Sequence, residues 1–455
     1  MKNINKGFFF IILTLFLGAI LYFRNDLFLG KQSPRMVDRL PHADVLARVK
    51  FLDLSKELNA ILFKYKLPIR EFAAPDFLLS QAKNSGLDVQ KNVYIFASKD
   101  QSEWGGMVSV TDSAKIIDAV DRFRKNTQVL DSSENGIRIF HFPEMNLSVS
   151  YENSYLLIYS GNLFKKRLAE IHDSEYGNIR SSWKKFLALK KFNQEKLVVF
   201  LSGKPLKDYG FDYALFAHDN DTLNVNVKFY LASKDALGYT LKTNGKGLPL
   251  GNEKSKSIEL HLNKPFLPGK SGDALKKQLV TMGKKIGFPT LAFLDAWEGD
   301  LSFREGGTVK SKQRIIVSEL DEDFNVREVT KFQDIEVPGY SIAFNMNEKG
   351  PQFINTLFQK GLLRKEENKL RFLFSPLLTL RKMDSYYFFT SSLRTPKLVD
   401  QSENHVQWNY EGSQFRVDLK KASPQGIEGT LMLPAKQLIL KLQKRNAKKS
   451  IGSIF

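Results

Sequence analysis

The chain has no cysteine among its 455 residues, and this absence excludes several kinds of site. Disulfides, thiolate nucleophiles, cysteine-ligated zinc and a lipid-modified N-terminal cysteine all require that side chain. Histidine is scarce, and no pair has the H-x-x-x-H or H-E-x-x-H spacing that puts two ligands on one helix face. We therefore expect no metal or cofactor site. The histidines are His42, His141, His172, His218, His261 and His405.

A long uncharged apolar run occurs at Gly7–Phe23. A helix of about 17 residues spans roughly 25 Å, near the lower limit for crossing a bilayer. No pair of small residues follows the run, as a signal-peptide cleavage site requires. The sequence thus predicts a cytoplasmic segment 1–6, an uncleaved transmembrane anchor at 7–29 that contacts the lipid bilayer, and a linker at 30–40.

The expected location is the bacterial inner membrane, with one span and a periplasmic folded part. Basic residues at positions 24, 31, 35 and 39 oppose this orientation under the positive-inside rule. Long domains cross the membrane largely regardless of such charges, so we favour export.

The formal net charge of +19 has two interpretations. It indicates either an anionic partner, such as an envelope polymer or lipid, or basic side chains spread over solvated faces. Lys and Arg are scattered, without a basic run before the C-terminus, so nucleic acid is not an expected partner. The segment 441–455 is a basic C-terminal tail, which continues an amphipathic helix predicted from Ala435.

One pattern in the sequence occurs twice. The segment N-G-I-R-I-F-H-F-P-E-M-N-L from Asn135 is similar to N-K-L-R-F-L-F-S-P-L-L-T-L from Asn368. Flanking apolar positions recur at an offset of about 230 residues, which indicates internal duplication. We predict one copy at 41–250 and a second at 255–440, with the joint near Asn244–Lys256.

Hairpins dominate the predicted strand connections, so each copy should be an antiparallel sheet with helices on one face. The predicted fold class is α+β, with an N-terminal transmembrane helix before the two copies. Asp112 is a predicted N-cap for a helix that buries Ile116, Ile117, Val120 and Phe123, and Ser55 a predicted cap for an earlier helix. Strands are predicted at Val45–Phe51, Val93–Ala97, Gly106–Val110, Ile137–Phe142, Leu147–Tyr151 and Tyr155–Ser160, and hairpin tips at Asp219–Asp221, Glu305–Gly307, Asp321–Asp323 and Glu411–Gly412.

Three short motifs occur in the order used by serine acyl-transferases of the β-lactamase type. Ser80 and Lys83 have the S-x-x-K spacing, Ser133-Glu134-Asn135 resembles S-x-N, and Lys270-Ser271-Gly272 resembles K-S-G. The chemistry needs the serine at the start of a buried helix, but Asn84-Ser85-Gly86 places Ser80 near a helix end. We therefore expect no enzyme activity and no catalytic residue.

Acidic clusters are the other candidate sites. Asp212, Asp219 and Asp221 lack the glycine and late glutamate of a calcium-binding EF-hand loop. Asp295, Glu298 and Asp300 flank Trp297 as a carboxylate pair of a glycosidase would, but no neighbour in the sequence orients them. Solvated loops are the expected role of both clusters.

The segment Leu40-Pro41-His42-Ala43-Asp44 leading into a strand, the duplicated unit and the apolar N-terminus resemble uncharacterised bacterial envelope proteins that are anchored or exported. Many of those carry a lipid-attachment cysteine, which this chain lacks. The resemblance implies no catalytic residues. We expect a non-enzymatic, membrane-anchored binding or scaffolding module. The alternative is a carrier that holds an apolar or lipid ligand between sheet and helices.

Overall fold

A computed structural model of the chain describes residues 36–434, apart from short internal segments. These segments are 65–79, 81, 99–101, 126, 135, 153, 174–178, 220–223, 234–236, 238, 243–244, 249–255, 264–269, 321, 323, 367–368, 373–374, 393–394, 401, 411–412 and 424. The predicted anchor 7–29 and the basic tail 441–455 lie outside the described residues, as do Asp221 and the C-terminal helix from Ala435.

The helices are short and lie between strands along the chain. They are α1 Phe51–Lys64, α2 Ser113–Arg124, α3 Phe164–His172, α4 Ser181–Ala188, α5 Lys204–Lys207, α6 Lys270–Lys285, α7 Thr290–Ala296 and α8 Gly350–Gln359, with 3-10 turns at Met36–Arg39 and Pro143–Met145.

Strands such as β6 and β8 alternate more and less buried positions, whereas β2, β3 and β7 are buried over nearly their whole length. They are β1 Val45–Val49, β2 Val93–Ala97, β3 Trp104–Ser109, β4 Leu130–Glu134, β5 Ile137–Phe142, β6 Leu147–Tyr151, β7 Tyr155–Ser160, β8 Leu197–Ser202, β9 Phe211–Asp219, β10 Asn224–Ser233, β11 Thr240–Leu241, β12 Lys256–Asn263, β13 Trp297–Leu320, β14 Val326–Met346, β15 Leu363–Glu366, β16 Lys369–Phe372, β17 Ser375–Met383, β18 Tyr386–Thr390, β19 His405–Tyr410, β20 Ser413–Ser423 and β21 Gly426–Pro434.

The predicted fold class was wrong. Strand residues make up 50% and helix residues 25%, and the strands described are grouped in one large antiparallel sheet. Strand residues are thus twice as numerous as helix residues, and the helices cover only parts of the sheet.

The predicted single-pass, inner-membrane architecture is corrected as well. Within the described part of the chain, every helix is too short or too polar to cross a bilayer. The fold that the structure describes is consequently a sheet fold without a transmembrane helix.

One order of strand pairing occurs twice. β1 pairs with both β2 and β8, and β12 pairs with both β13 and β19. A helix and four strands follow β3, and the last of these strands, β7, pairs with β3. A helix and four strands likewise follow β14, and the last of these, β18, pairs with β14. In the second set, β13 and β14 are 24 and 21 residues long, whereas β2 and β3 have 5 and 6.

The chain divides into two compact units, each with its own core. The first contains the described parts of Met1–Gly203 and Tyr213–Val227, and the second those of Lys204–Asp212 and Lys228–Pro434. Aliphatic side chains dominate the first core, which includes Ala47, Ile95, Val108, Ile116, Leu156 and Ile158. Aromatic side chains are prominent in the second, which includes Trp297, Phe344, Phe353, Tyr387 and Phe389.

Local predictions had mixed outcomes. The Asp112 side chain accepts a hydrogen bond from the Ala114 amide, so it caps α2 as predicted. Ser55 caps nothing: α1 begins at Phe51, and the Ser55 hydroxyl donates to the Leu52 carbonyl. Glu305–Gly307 is a β-bulge inside β13 and not a hairpin tip, because Gly307 has φ of 71° and the register shifts there.

The core of the second unit gives a matched stability test within α7. Leu294 is 5% exposed and Leu291 is 52% exposed. Leu294→Ala should lower the free energy of unfolding by about 2–5 kcal/mol, since it leaves a cavity. Leu291→Ala should change it by less than about 0.5 kcal/mol. Urea denaturation followed by tryptophan fluorescence measures both values, and equal losses would contradict this packing.

Candidate functional site

An apolar cleft lies between α2 and the strands β5–β7 of the first unit. Its cavity volume is about 50 Å³. Apart from Ser85 the lining is apolar, and Met145 at the rim is 39% exposed. The lining residues are Ser85, Leu87, Ile116, Ala119, Val120, Phe123, Phe142, Met145, Leu147, Val149, Leu156 and Ile158.

The helix over the cleft is positioned at its N-terminus by a tight turn. The amides of Thr111 and Asp112 both donate to the Gly86 carbonyl, just before the Asp112 cap. Gly86 has φ of 78°, and a Cβ there would collide with the Asp112 carbonyl. Glycine is therefore required for the chain to approach so closely, and it fixes where α2 begins above the sheet.

The corresponding space in the second unit is filled by aromatic rings. Val108 pairs with Leu156 across β3 and β7, where Phe344 pairs with Tyr387 across β14 and β18. Ile158 and Phe389 correspond in the same way, each two residues further along its strand. The Phe389 ring lies 5.8 Å from that of Phe344 and 5.2 Å from that of Phe372. The first unit has smaller side chains at these positions, which leaves its cleft open.

A second candidate is a buried layer of polar side chains on one face of β12, β13 and β19. The pairing places Glu259 between Ser302 and His405, Ser257 between Arg304 and Gln407, and His261 beside Asp300. All of them except Arg304 are less than 9% exposed. Burying so many polar groups is costly unless each finds a partner.

The His261–Asp300 pair is the centre of this layer. His261 Nδ1 lies 3.0 Å from Asp300 Oδ1, and the Tyr386 hydroxyl donates to Asp300 Oδ2 at 2.7 Å. Lys242 Nζ is 3.2 Å from the same carboxylate. On its other side, His261 Nε2 is 3.6 Å from Glu259 Oε2, which also accepts a hydrogen bond from Ser302.

These contacts shift two pKa values in opposite directions. Burial alone would lower the pKa of His261, but its hydrogen bond with Asp300 and the negative charges of Asp300 and Glu259 raise it above the ordinary value. Burial alone would raise the pKa of Asp300, but the hydrogen bonds from His261 and Tyr386 and the charge of Lys242 lower it. Both shifts favour the charged forms, so the two groups form an ion pair.

A glycine-containing strap covers the polar layer. Gly247 exchanges two backbone hydrogen bonds with Val399, and the Ser402 amide donates to the Gly245 carbonyl. A Cβ at Gly245 would collide with the His261 ring, and one at Gly247 with Glu259 Oε2. Only glycine lets the backbone lie this close to the buried charges.

Ser257 and His405 resemble a nucleophile and its base. Ser257 Oγ lies 2.9 Å from His405 Nε2. His405 Nδ1 lies 3.0 Å from the Glu403 carbonyl oxygen, which accepts a hydrogen bond from it. Burial lowers the pKa of His405, which is therefore a neutral acceptor for the Ser257 hydroxyl. Ser257 and His405 are only 2% and 1% exposed, so a substrate does not reach them. The pair satisfies buried hydrogen-bonding groups.

The β-lactamase-like motifs lie on separate elements of the described structure, two in the first unit and one in the second. Ser80 is exposed, Ser133 lies on the exposed strand β4, and Lys270 is the first residue of α6. Asn135 lies outside the described residues.

The acidic candidates are distributed differently. Asp295 is exposed and Asp212 and Asp219 are half-buried. Asp300 was wrongly assigned to a solvated loop. The neighbouring strand has the alternation Ser257, Glu259, His261, but alternation alone does not show whether the polar face is buried.

The remaining histidines have ordinary surroundings. His42 and His172 are exposed, and His141 Nδ1 lies 3.0 Å from the Ser148 hydroxyl. His218 Nε2 is 3.1 Å from Glu57 Oε1. Among the described residues, no group of three His, Cys, Asp or Glu side chains could hold a metal ion.

The ion pair predicts a pH-dependent coupling. The Asp300 contribution to stability is present above its unfolded pKa of about 4 and is lost as pH falls through its lowered folded pKa. The His261 contribution is present below about pH 6.5 and is lost as pH rises through its raised folded pKa. A double-mutant cycle with His261→Gln and Asp300→Asn should give a coupling of about 1–3 kcal/mol near pH 5 and less near pH 9.

The exposed pair Lys246–Asp400, with side chains 56% and 81% exposed, is the control for this cycle. Its coupling should stay below about 1 kcal/mol at both pH values. Urea unfolding of the four proteins of each cycle measures the couplings. A His261–Asp300 coupling of the same size at pH 5 and pH 9 would refute the ion pair.

Comparison with known proteins gives no family. No family model matches the chain. No curated protein matches it either. Among solved structures, crystal forms I, III and IV of TP0453 are similar at 11%, 11% and 10% identity, with TM-scores of 0.29, 0.30 and 0.31. They cover 46%, 45% and 44% of this chain and 81%, 80% and 81% of the other. A similarity this low carries no conclusion about fold or function.

Proposed function

We propose that this protein binds a slender apolar ligand, such as a linear acyl chain, in the cleft of its first unit. The observation that carries the proposal is an apolar cleft left open where the same strand arrangement in the second unit is filled by Phe353 and Phe389. The role is binding and not catalysis. Ligand sites in proteins are typically concave and largely apolar, as this cleft is.

The size of the cleft indicates the shape of its ligand. The cleft holds only about 50 Å³. A ligand inside it gains the transfer of its own methylene groups from water, about 0.8 kcal/mol each. So little room suits a narrow chain better than a fused-ring ligand.

The lining also limits the chemistry of recognition. Its only polar side chain is Ser85, which is 4% exposed. The part of the ligand inside the cleft must therefore be hydrocarbon, because a buried polar group without a partner is costly. Any charged headgroup stays at the rim, beside the partly exposed Met145.

Filling the cleft tests this function. Ile116→Phe and Ile158→Phe copy the residues that fill the second unit, Phe353 and Phe389. Each should weaken binding of parinaric acid, a linear fluorescent fatty acid, by at least about tenfold, since the ring occupies the ligand's space. Fluorescence titration of the full chain measures the affinity. Leu130→Phe, at a position 47% exposed in the same unit, is the control and should bind normally.

Two further measurements complete this test. Thermal unfolding must show that the filled variants are folded. In competition with the probe, saturated fatty acids of increasing length should bind about fourfold more tightly per added methylene until the cleft is full. Equal probe binding by the wild type and both filled variants would refute the proposal, as would absence of binding by the wild type.

A further inference from the structure

The two ends of the apolar cleft differ in exposure. Helix α2 lies along the cleft, and its lining residues from Ile116 to Phe123 span about 10 Å at roughly 1.5 Å per residue. Beside the turn that begins α2, the lining residues Ser85 and Leu87 are both 4% exposed. At the C-terminal end of α2, Met145 is 39% exposed. This second end is therefore the mouth through which a ligand enters.

The last turn of α2 borders this mouth. The Phe123 ring lies 5.4 Å from that of Phe142, edge to face, and the 3-10 turn Pro143–Met145 follows Phe142 directly. Lys125 is the C-cap residue of α2, two residues after Phe123, and its side chain is exposed. The ammonium group of Lys125 therefore belongs to the surface around the mouth.

Several other charged side chains at this end compensate one another. Arg124 pairs with Asp121 at 3.3 Å and also with Asp131. Asp131 in turn pairs with Arg138 at 2.9 Å. Lys125, by contrast, has no acidic partner among the residues that the structure describes, so its charge is compensated only by solvent ions.

The remaining charges at the mouth leave it net positive. Arg122 is a second, half-buried cation in the last turn of α2, and Glu144 is an exposed acidic residue of the 3-10 turn. Asp118 lies about a turn further from the mouth along the helix. Arg122 and Lys125 together outweigh Glu144, so the mouth favours an anionic group.

The opposite end of the cleft is a poorer place for an anion. The Asp112 carboxylate already accepts the Ala114 amide at the N-terminus of α2, and its Oδ2 lies 3.9 Å from Lys115 Nζ. A second anion there would be repelled by Asp112, and Ser85 nearby is buried. An anionic headgroup is consequently better held at the Met145 end.

Resting on the function proposed above, we propose that the ligand carries a carboxylate, as a fatty acid does, and that this group lies against Lys125. The hydrocarbon chain then extends along α2 toward Ser85. A headgroup that stays at the mouth avoids the cost of burying charge among apolar side chains. A single negative charge matches Lys125, whereas a dianionic phosphate would leave an uncompensated charge near Glu144.

Decanoate and 1-decanol test this assignment, because they have the same chain length and differ in headgroup charge. Isothermal titration calorimetry of the full chain measures both affinities, and their ratio reports the contribution of the carboxylate. At about 10 mM ionic strength, Lys125→Glu should lower the ratio of decanoate to decanol affinity by at least about fivefold, and Glu144→Gln should raise it. About 1 M salt should reduce both effects.

Lys166→Glu is the matched control, since it makes the same change of charge away from the cleft. Lys166 is exposed on α3, whose Phe164 ring lies 5.9 Å from that of Tyr159. Adjacent strand residues point to opposite faces, and Ile158 lines the cleft, so α3 lies on the other side of the sheet. The affinity ratio of this variant should equal that of the wild type. Thermal unfolding shows whether each variant is folded.

The outcomes separate this assignment from the function on which it rests. If both ligands bind and the ratio is the same in the wild type and in folded Lys125→Glu, the headgroup assignment is overturned and the apolar cleft remains a binding site. An equal fall of the ratio in Lys125→Glu and Lys166→Glu overturns it as well, because the effect is then one of net charge. If the wild type binds neither ligand, the proposed function is overturned too.

Discussion

Each unit depends on one strand that has paired neighbours on both sides. β1 lies between β2 and β8, and β12 lies between β13 and β19. Such a strand is covered at both edges, and each buried side chain on it needs either close packing or a hydrogen-bond partner. In the first unit the buried residues of β1 are aliphatic, such as Leu46 and Val49. In the second, β12 buries Glu259 and His261, and His261 pairs with Asp300. Because a buried charge without its partner costs several kcal/mol, this ion pair contributes to the stability of the second unit.

The two units therefore have the same strand order but side chains of different size on the helix-covered side of the sheet. In the first unit, the helix-covered side of β3 and β7 has aliphatic residues and retains a cleft. In the second, the helix-covered side of β14 and β18 has Phe344, Tyr387 and Phe389 and is filled. A pairing scheme fixes the positions of side chains but not their sizes, so one scheme supports both a closed core and an open one.

How much of this was predictable depends on how local the signal is. The strands Val93–Ala97 and Ile137–Phe142 and the cap at Asp112 were predicted at their observed positions, because alternation and capping are properties of adjacent residues. The polar face of β12 was not, since alternation distinguishes two faces without showing whether the polar one meets water or a strap that is remote in sequence. Glu305–Gly307 gave the signal of a turn, yet the strand continues through it as a bulge for another thirteen residues, to Leu320. The cleft was equally hidden, because its size depends on which side chains meet across β3 and β7. Sequence patterns specify elements and faces, whereas fold class and open space depend on long-range pairing.

The cleft of the first unit and the outer ribbon of β13 and β14 both expose apolar side chains, and their shapes differ. The cleft is concave, so a small ligand removes most of its apolar area from water. Because its walls are already packed, binding costs little conformational entropy of the protein. The outer ribbon of β13 and β14 is open instead, because Ile316, Leu320, Val326 and Phe332 have no further strand beside them in the described part of the chain. One small ligand can therefore cover most of the apolar surface of the cleft, whereas it cannot cover the apolar side chains of an open ribbon.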